Sequence, residues 1–232
     1  MQEFDWKEKY KDKIGTAAAA MRLIKSGNSI FIGTGCGQPQ HLVSALVEHS
    51  SHIYDAHIIH LLTMGAAPYA DERLREKFKM NTFFIADNVR GALRKGIGDY
   101  TPIFLSEIPN EFDSGRIPID VALISITPPD MNGLCSFGVS VDIVKSAAAN
   151  AKYIVAQVNG RMPRTFGDSF IHVNAIDMLV PYDEDIIKIR TPQSRETLRR
   201  IGQNIARLVE DGSTIECGIG SVPQALAEFL KD

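Results

Sequence analysis

Cysteine is scarce in this chain: Cys36, Cys135 and Cys217 are spread over 232 residues and form no C-x-x-C pair. That argues against a disulfide framework and for a reducing compartment, the cytoplasm by default. Net charge is also small. Lys plus Arg total 25 against Asp plus Glu 28, a formal charge of -3, so the overall electrostatics give no reason to expect a nucleic-acid partner. Long apolar runs are missing too, none approaching the roughly 18 residues that span a bilayer. The opening Met-Gln-Glu-Phe-Asp-Trp-Lys-Glu-Lys-Tyr has no apolar signal core; neither secretion nor a membrane span is expected. What remains is ordinary for a folded chain, 44% hydrophobic and 23% charged, with enough residues for one large domain or two small ones.

Apolar periodicity reads as alternating helices and strands. Trp6 to Ile24 is expected to be a helix, with Gly27 where a glycine stop belongs, followed by a strand at Ser29 to Ile32. Gly33-Thr34-Gly35-Cys36-Gly37-Gln38-Pro39 is a tight loop, and Leu42, Val43, Leu46 and Val47 recur behind it at helical spacing. Further strands are expected at Ala56 to Leu62, Thr82 to Ala86, Val121 to Ile126, Tyr153 to Val158 and Met178 to Pro181, with helices at Asp71 to Phe78 and Val139 to Ala151. Strands buried on both faces favour an α/β fold with a mostly parallel sheet flanked by helices. The polar run from Asp183 to Gln193 reads as a connector and Ser194 to Glu210 as an amphipathic helix, placing a domain boundary near Thr191. The expected domains are 1–190 and the start of a second, similar one at 191–232.

An internal repeat supports two halves. Leu23-Ile-Lys-Ser-Gly27-Asn-Ser-Ile-Phe-Ile-Gly33-Thr-Gly35 recurs as Leu208-Val-Glu-Asp-Gly212-Ser-Thr-Ile-Glu-Cys-Gly218-Ile-Gly220, and Pro39 and Pro223 follow before an apolar helix in each copy. Helix, turn, strand, glycine loop and helix are expected in both. Glycines at a strand end let a ligand approach the backbone, and a following helix directs N–H groups to the same point, which suits an anion or a developing oxyanion. Gly33 and Gly35 are therefore candidate site residues.

More specific sites match poorly. The spacing Gly33-x-Gly35-x-Gly37 breaks the dinucleotide fingerprint, the second copy has Pro223 at its third place, and no acidic residue ends the next strand, which closes on Leu61-Leu62-Thr63. No Gly-Lys-Ser/Thr follows either loop, which excludes a P-loop. His49, His52, His57 and His60 fit no zinc signature, so no metal is expected. Asp168, Ser169 and His172 lie too close together in sequence for a triad, whose members meet through the fold. The segment from Ser125 to Asp142 is different: a strand ends, Pro128-Pro129 and Asn132-Gly133 set a turn, and small polar residues precede a helix. Ligands of parallel sheets sit at such loops.

Three blocks carry a family resemblance. They are Pro128-Pro129-Asp130-x-Asn132-Gly133-x-Cys135-Ser136-x-Gly138-Val139-Ser140, then Gln157-Val158-Asn159-x-x-Met162-Pro163-Arg164-Thr165-x-Gly167, and Asp211-Gly212-Ser213-Thr214 through Gly218-Ile219-Gly220-x-x-Pro223. In this order they resemble the acetyl-CoA hydrolase/transferase family. The resemblance implies two related α/β domains, CoA and acyl-CoA as substrates with a short-chain carboxylate as partner, no tightly bound cofactor, and a homo-oligomer. It also implies ping-pong CoA transfer through a glutamyl-CoA thioester. Gly218, Ile219, Gly220, Ser221 and Val222 match the family's CoA-contacting motif. Asn132, Ser136, Asn159, Met162 and Pro163 join Gly33 and Gly35 as expected substrate-lining residues. The family's nucleophilic glutamate lies about twenty residues past the CoA motif, beyond Asp232; Glu216 and Glu228 do not take its place, and the fragment alone is expected to be inactive. An acetyl-CoA hydrolase using the same nucleophile, or a non-catalytic assembly domain, remain open alternatives.

Overall fold

The computed structural model describes residues 4–189 and 196–230, and the chain divides into two compact units, Met1–Ile187 and Lys188–Asp232. In the first unit the elements run α1 (Trp6–Lys9), α2 (Ala17–Met21), β1 (Ser29–Ile32), α3 (Gln40–Glu48), β2 (Ala56–His60), β3 (Phe78–Thr82), α4 (Asp87–Arg94), β4 (Gly98–Tyr100), α5 (Ile108–Asp113), β5 (Ile119–Ile126), β6 (Leu134–Ser136), α6 (Val144–Asn150), β7 (Ala151–Val158), β8 (Phe170–His172) and β9 (Met178–Pro181). Seven strands form one sheet in the order β4-β3-β2-β1-β5-β7-β9, every pair parallel, while β6 and β8 make a small antiparallel pair. This is the α/β architecture with a mostly parallel sheet that the apolar runs predict.

Side chains of a strand alternate between faces, and the two hydrophobic cores follow that alternation. Ile30, Ile32, Val121 and Leu123 pack with α2, α3 and α4, whereas Phe31, Ala122, Ile124 and Ile126 pack with α5 and α6. Ile30, Phe31, Ile32 and Leu123 are fully buried, each worth roughly 1.5 to 3 kcal/mol of apolar transfer. The chain moves outward from β1 through β2, β3 and β4, then returns to β5 on the other side of β1. The strand order thus reverses between β1 and β5, and the crevice above their C-terminal ends is the natural ligand position of such a sheet.

Several elements depart from the sequence reading for identifiable reasons. The helix expected over Trp6 to Ile24 breaks, because Ile14 pairs with Leu179 and the Gly15 N–H donates to the Leu179 carbonyl at 2.9 Å. Thr16 then caps the restart, accepting from the Ala19 N–H at 3.1 Å. The strand expected at Thr82 to Ala86 lies earlier, at Phe78–Thr82, and Asp71 to Phe78 holds only a 3₁₀ turn at Glu72–Leu74 before it. The helix expected from Val139 begins at Val144, since Asp142 accepts from the N–H groups of Ile143 and Val144 and Ser140 is engaged elsewhere.

In the second unit α7 (Glu196–Ala206) and α8 (Ser221–Ala227) pack where Gly202 meets Ala225; a Cβ on Gly202 would come within 2.7 Å of the Ala225 backbone. The turn of the repeat is kept, with φ of 77° at Gly27 and 81° at Gly212. The strand is not: Ser213 to Gly218 carries no strand pairing. An extended segment becomes a strand by pairing its backbone groups, and the described part of this unit contains no second strand. The boundary expected at Thr191 lies outside the described residues.

Candidate functional site

The first glycine loop leaves β1 at the switch point, and its backbone is committed to the fold. Gly33 donates to the Leu123 carbonyl at 2.9 Å, Gly35 to Leu62 at 2.6 Å, and Gly37 to the Ser140 hydroxyl at 3.1 Å. Gly37 has to be glycine for space, because a Cβ there would lie 2.9 Å from that of Ser140. Thr34 donates its hydroxyl to Asp142 at 2.5 Å, so the loop is bound on two sides to the segment leading into α6. Gln38 and Gln40 extend the grip to the β2 end: Gln38 accepts from Gly65 N–H at 3.0 Å and donates to the Ala66 carbonyl at 2.8 Å, while Gln40 accepts from Ala66 N–H at 3.2 Å.

The two middle motif blocks form a clasp. Asp130 accepts from the N–H groups of Asn132 and Leu134, both at 2.9 Å, and pairs with Arg164 at 2.7 Å. Partial burial would raise the Asp130 carboxyl, but those two N–H groups and the Arg164 charge outweigh it and hold the pKa below the usual range. Ser136 is buried, and its Oγ accepts from Gly138 N–H at 3.0 Å and Thr165 N–H at 3.1 Å while lying 3.2 Å from the Thr165 carbonyl it donates to. Gly138 sits at φ 65°, and a side chain there would run into Met162. Ser136 and Met162 are thereby brought together. Asn159 is held elsewhere, accepting from Arg161 and Glu184 N–H groups at 2.9 and 3.2 Å and donating to the Glu184 carbonyl at 2.8 Å. Asn132 and Pro163 are exposed, and the Asn132 carbonyl lies 3.0 Å from the His172 ring nitrogen Nε2.

Glu184 is a candidate site residue that sequence reasoning passed over as part of a connector. Its Oε1 accepts from the Gln40 N–H at 3.1 Å and from the buried Gln157 amide at 2.6 Å. Beside it Tyr182 stacks on His41, ring centroids 3.8 Å apart. The only local signal is the acidic run Asp183-Glu184-Asp185, which does not say what it reaches.

Other nucleophile and metal candidates have different partners. Asp168 pairs with Lys145, Ser169 donates to the Thr165 carbonyl at 2.9 Å, and His172 serves Asn132, so no triad forms. Among the described residues no group of three His, Cys, Asp or Glu side chains is placed to hold a metal. His60 is fully buried, and burial lowers its imidazole to about 4; burial likewise pushes the Cys135 thiol up to about 12. No helix among the described residues is long and apolar enough to cross a membrane.

In the second unit the loop from Gly218 to Val222 runs into α8. Gly218, Ile219 and Ser221 are exposed, Ile219 at 81%. Among the described residues no hydrogen bond engages the N–H groups of Gly218, Ile219 or Gly220.

A family model described as the acetyl-CoA hydrolase/transferase N-terminal domain matches residues 1–190. The 4-hydroxybutyrate coenzyme A transferase of Clostridium kluyveri is 41% identical, the match covering 98% of this chain and 53% of that protein. The succinyl-CoA:acetate/propanoyl-CoA:succinate CoA transferase of Fasciola hepatica is 39% identical over 89% of this chain and 44% of its own length. Among solved structures, RipA from Yersinia pestis superposes with a TM-score of 0.90 at 26% identity, covering 99% of this chain and 56% of that one. The 4-hydroxybutyrate CoA-transferase of Porphyromonas gingivalis gives 0.80 at 29% identity, covering 98% and 53%. The chain spans about half the length of the curated relatives it matches.

Proposed function

This chain belongs to the acetyl-CoA hydrolase/transferase family, and from that premise we propose that it forms part of a transferase moving coenzyme A from an acyl-CoA to a carboxylic acid. The family match over residues 1–190 carries the reading. Relatives named for 4-hydroxybutyrate and for succinyl-CoA:acetate transfer support short-chain acids and their CoA thioesters as the substrate class. CoA enters as substrate, with no tightly bound cofactor, and the reading entails a cytoplasmic homo-oligomer.

The chemistry is a double displacement. A glutamate carboxylate attacks the thioester carbonyl, the C–S bond breaks to release CoA as thiolate, and an acyl-glutamyl anhydride remains. The thiolate attacks the glutamyl carbonyl, giving glutamyl-CoA and the free donor acid. The acceptor carboxylate then attacks the glutamyl-CoA carbonyl and expels the thiolate, which attacks the acceptor's acyl carbonyl in the new anhydride, giving the product acyl-CoA and freeing the glutamate. Each addition builds an oxyanion that preorganised N–H donors stabilise. Gly218, Ile219, Gly220, Ser221 and Val222 form the CoA-binding segment in this reading, supported by the exposure of Gly218, Ile219 and Ser221 and by the N–H groups of the first three, which no hydrogen bond engages among the described residues. Gly33 and Gly35 shape the carboxylate side, with Ser136, Asn159 and Met162 holding its loops and Asn132 and Pro163 on the rim.

In this reading the nucleophile is a glutamate that residues 1–232 do not supply, so purified 1–232 is expected to bind CoA yet give no CoA exchange between acetyl-CoA and butyrate. Chromatographic detection of butyryl-CoA checks the second point and calorimetry the first. Robust exchange would overturn the placement of the nucleophile, and failure to bind CoA would overturn the role of the Gly218–Val222 segment.

A further inference from the structure

The N-terminus of α3 lies directly behind the first glycine loop, and the Gln40 N–H there serves a carboxylate rather than the loop. Gln40 is the first residue of this nine-residue helix, and Pro39 before it offers no side-chain acceptor. The Gln40 N–H goes instead to Glu184 Oε1 at 3.1 Å, from a residue 144 positions away. The same oxygen accepts from Gln157 Nε2 at 2.6 Å. Gln157 is fully buried, yet its own Oε1 has no hydrogen-bond partner. A buried acceptor left unpaired costs stability, so this amide does not belong to a closed structural network like that of Ser136. Its one bond is to the carboxylate. Glu184 is only half-buried; its backbone is anchored to Asn159, but its side chain, among the described residues, is held through Oε1 alone.

We propose that the α3 N-terminus and Gln157 form a binding site for a small free carboxylate, and that Glu184 occupies it as an internal stand-in that a ligand displaces. Two N–H donors, one at the positive end of a helix dipole and one on a desolvated amide, suit a carboxylate oxygen. Glu184 reaches water by rotating its side chain, which leaves both donors facing the vacated position. The site sits at the switch-point crevice, where the acid substrate or product of CoA transfer would be handled; that identification rests on the function proposed above, whereas the carboxylate site does not.

Competition sets the size of the effect. If Glu184 holds the site for more than about 90% of the time, it weakens apparent carboxylate affinity at least about tenfold, and removing it restores that factor. The experiment titrates acetate into ¹⁵N-labelled 1–232 at constant ionic strength, with chloride as control, following the Gln40 backbone and Gln157 side-chain amide resonances. Glu184→Ala is expected to saturate both with a Kd at least about tenfold below wild type. Adding Gln157→Met removes the gain. Glu184→Gln keeps an oxygen for the helix end without the charge, and is expected to give an intermediate gain; it carries the test if the alanine variant does not fold. A folded Glu184 variant in which acetate moves neither resonance beyond the chloride control overturns the proposal and leaves Glu184 a helix cap only. Acetate binding without CoA binding would sustain this site and sink the CoA-transfer reading; CoA binding without an acetate response would do the reverse.

Discussion

At the first glycine loop the N–H groups of Gly33, Gly35 and Gly37 go to Leu123, Leu62 and Ser140, whereas at the second no hydrogen bond among the described residues engages Gly218, Ile219 or Gly220. The two segments share sequence, turn glycine and following helix. What differs is their surroundings: β1 lies between β2 and β5, while Ser213 to Gly218 pairs with no strand among the described residues. A glycine loop therefore specifies a backbone shape and not a use. Neighbouring strands and side chains decide whether its donors are consumed by the fold or remain open to a ligand.

The comparison can be sharpened from the stability side, where the first loop and its strand neighbours should respond and the second loop should not. The largest effect comes from His60, at the end of β2. Burial lowers its folded pKa to about 4, while an unfolded histidine titrates near 6.5. The unfolded chain therefore binds the proton more readily. The stability present above about pH 6.5 declines as pH falls toward about 4, by up to about 3 kcal/mol. Urea midpoints across that range check it, and His60→Leu should flatten the slope. Gly37→Ala forces its Cβ against Ser140 and is expected to cost about 2 kcal/mol, as overpacking does; an unchanged urea midpoint would show that the first loop is as free as the second. Thr34→Val removes the hydroxyl bonded to Asp142 and should cost about 1 kcal/mol in the same measurement. The smallest effect is expected from Gly218→Ala, where a Cβ meets nothing within 4 Å. Its stability should stay within about 0.5 kcal/mol of wild type, while calorimetry reads a weaker CoA affinity. Loss of stability there, with binding intact, would erase the distinction between the loops.

Much of the sheet was legible because parallel strands buried on both faces are plain apolar runs. Ser29–Ile32, the core of Ile119–Ile126 and Met178–Pro181 stand where periodicity predicts them. What the sequence concealed was contact at a distance. Ile14 and Gly15 leave a helical pattern to pair with Leu179, a partner that lies more than 160 residues away and has no local signature. Thr214 to Cys217 has the apolar, β-branched character of a strand but no neighbour to pair with in the described part of its unit. At the candidate site, Gly33 and Gly35 were singled out by residue type, since turns and tight approaches restrict residue choice, whereas Ser136 and Met162 were singled out only through the family resemblance. Glu184 was not, because an acidic residue in a polar run looks the same whether it meets water or, as here, a helix end and a buried amide.

Ser136 illustrates what full satisfaction does to reactivity. A hydroxyl has one proton to give and two lone pairs to receive with, and this one receives from Gly138 and Thr165 while giving to Thr165. Nothing is left over for an electrophile, and no imidazole stands by to take its proton. A fluorophosphonate probe, which marks activated serines, should pass over this position in the folded protein and in the denatured one alike.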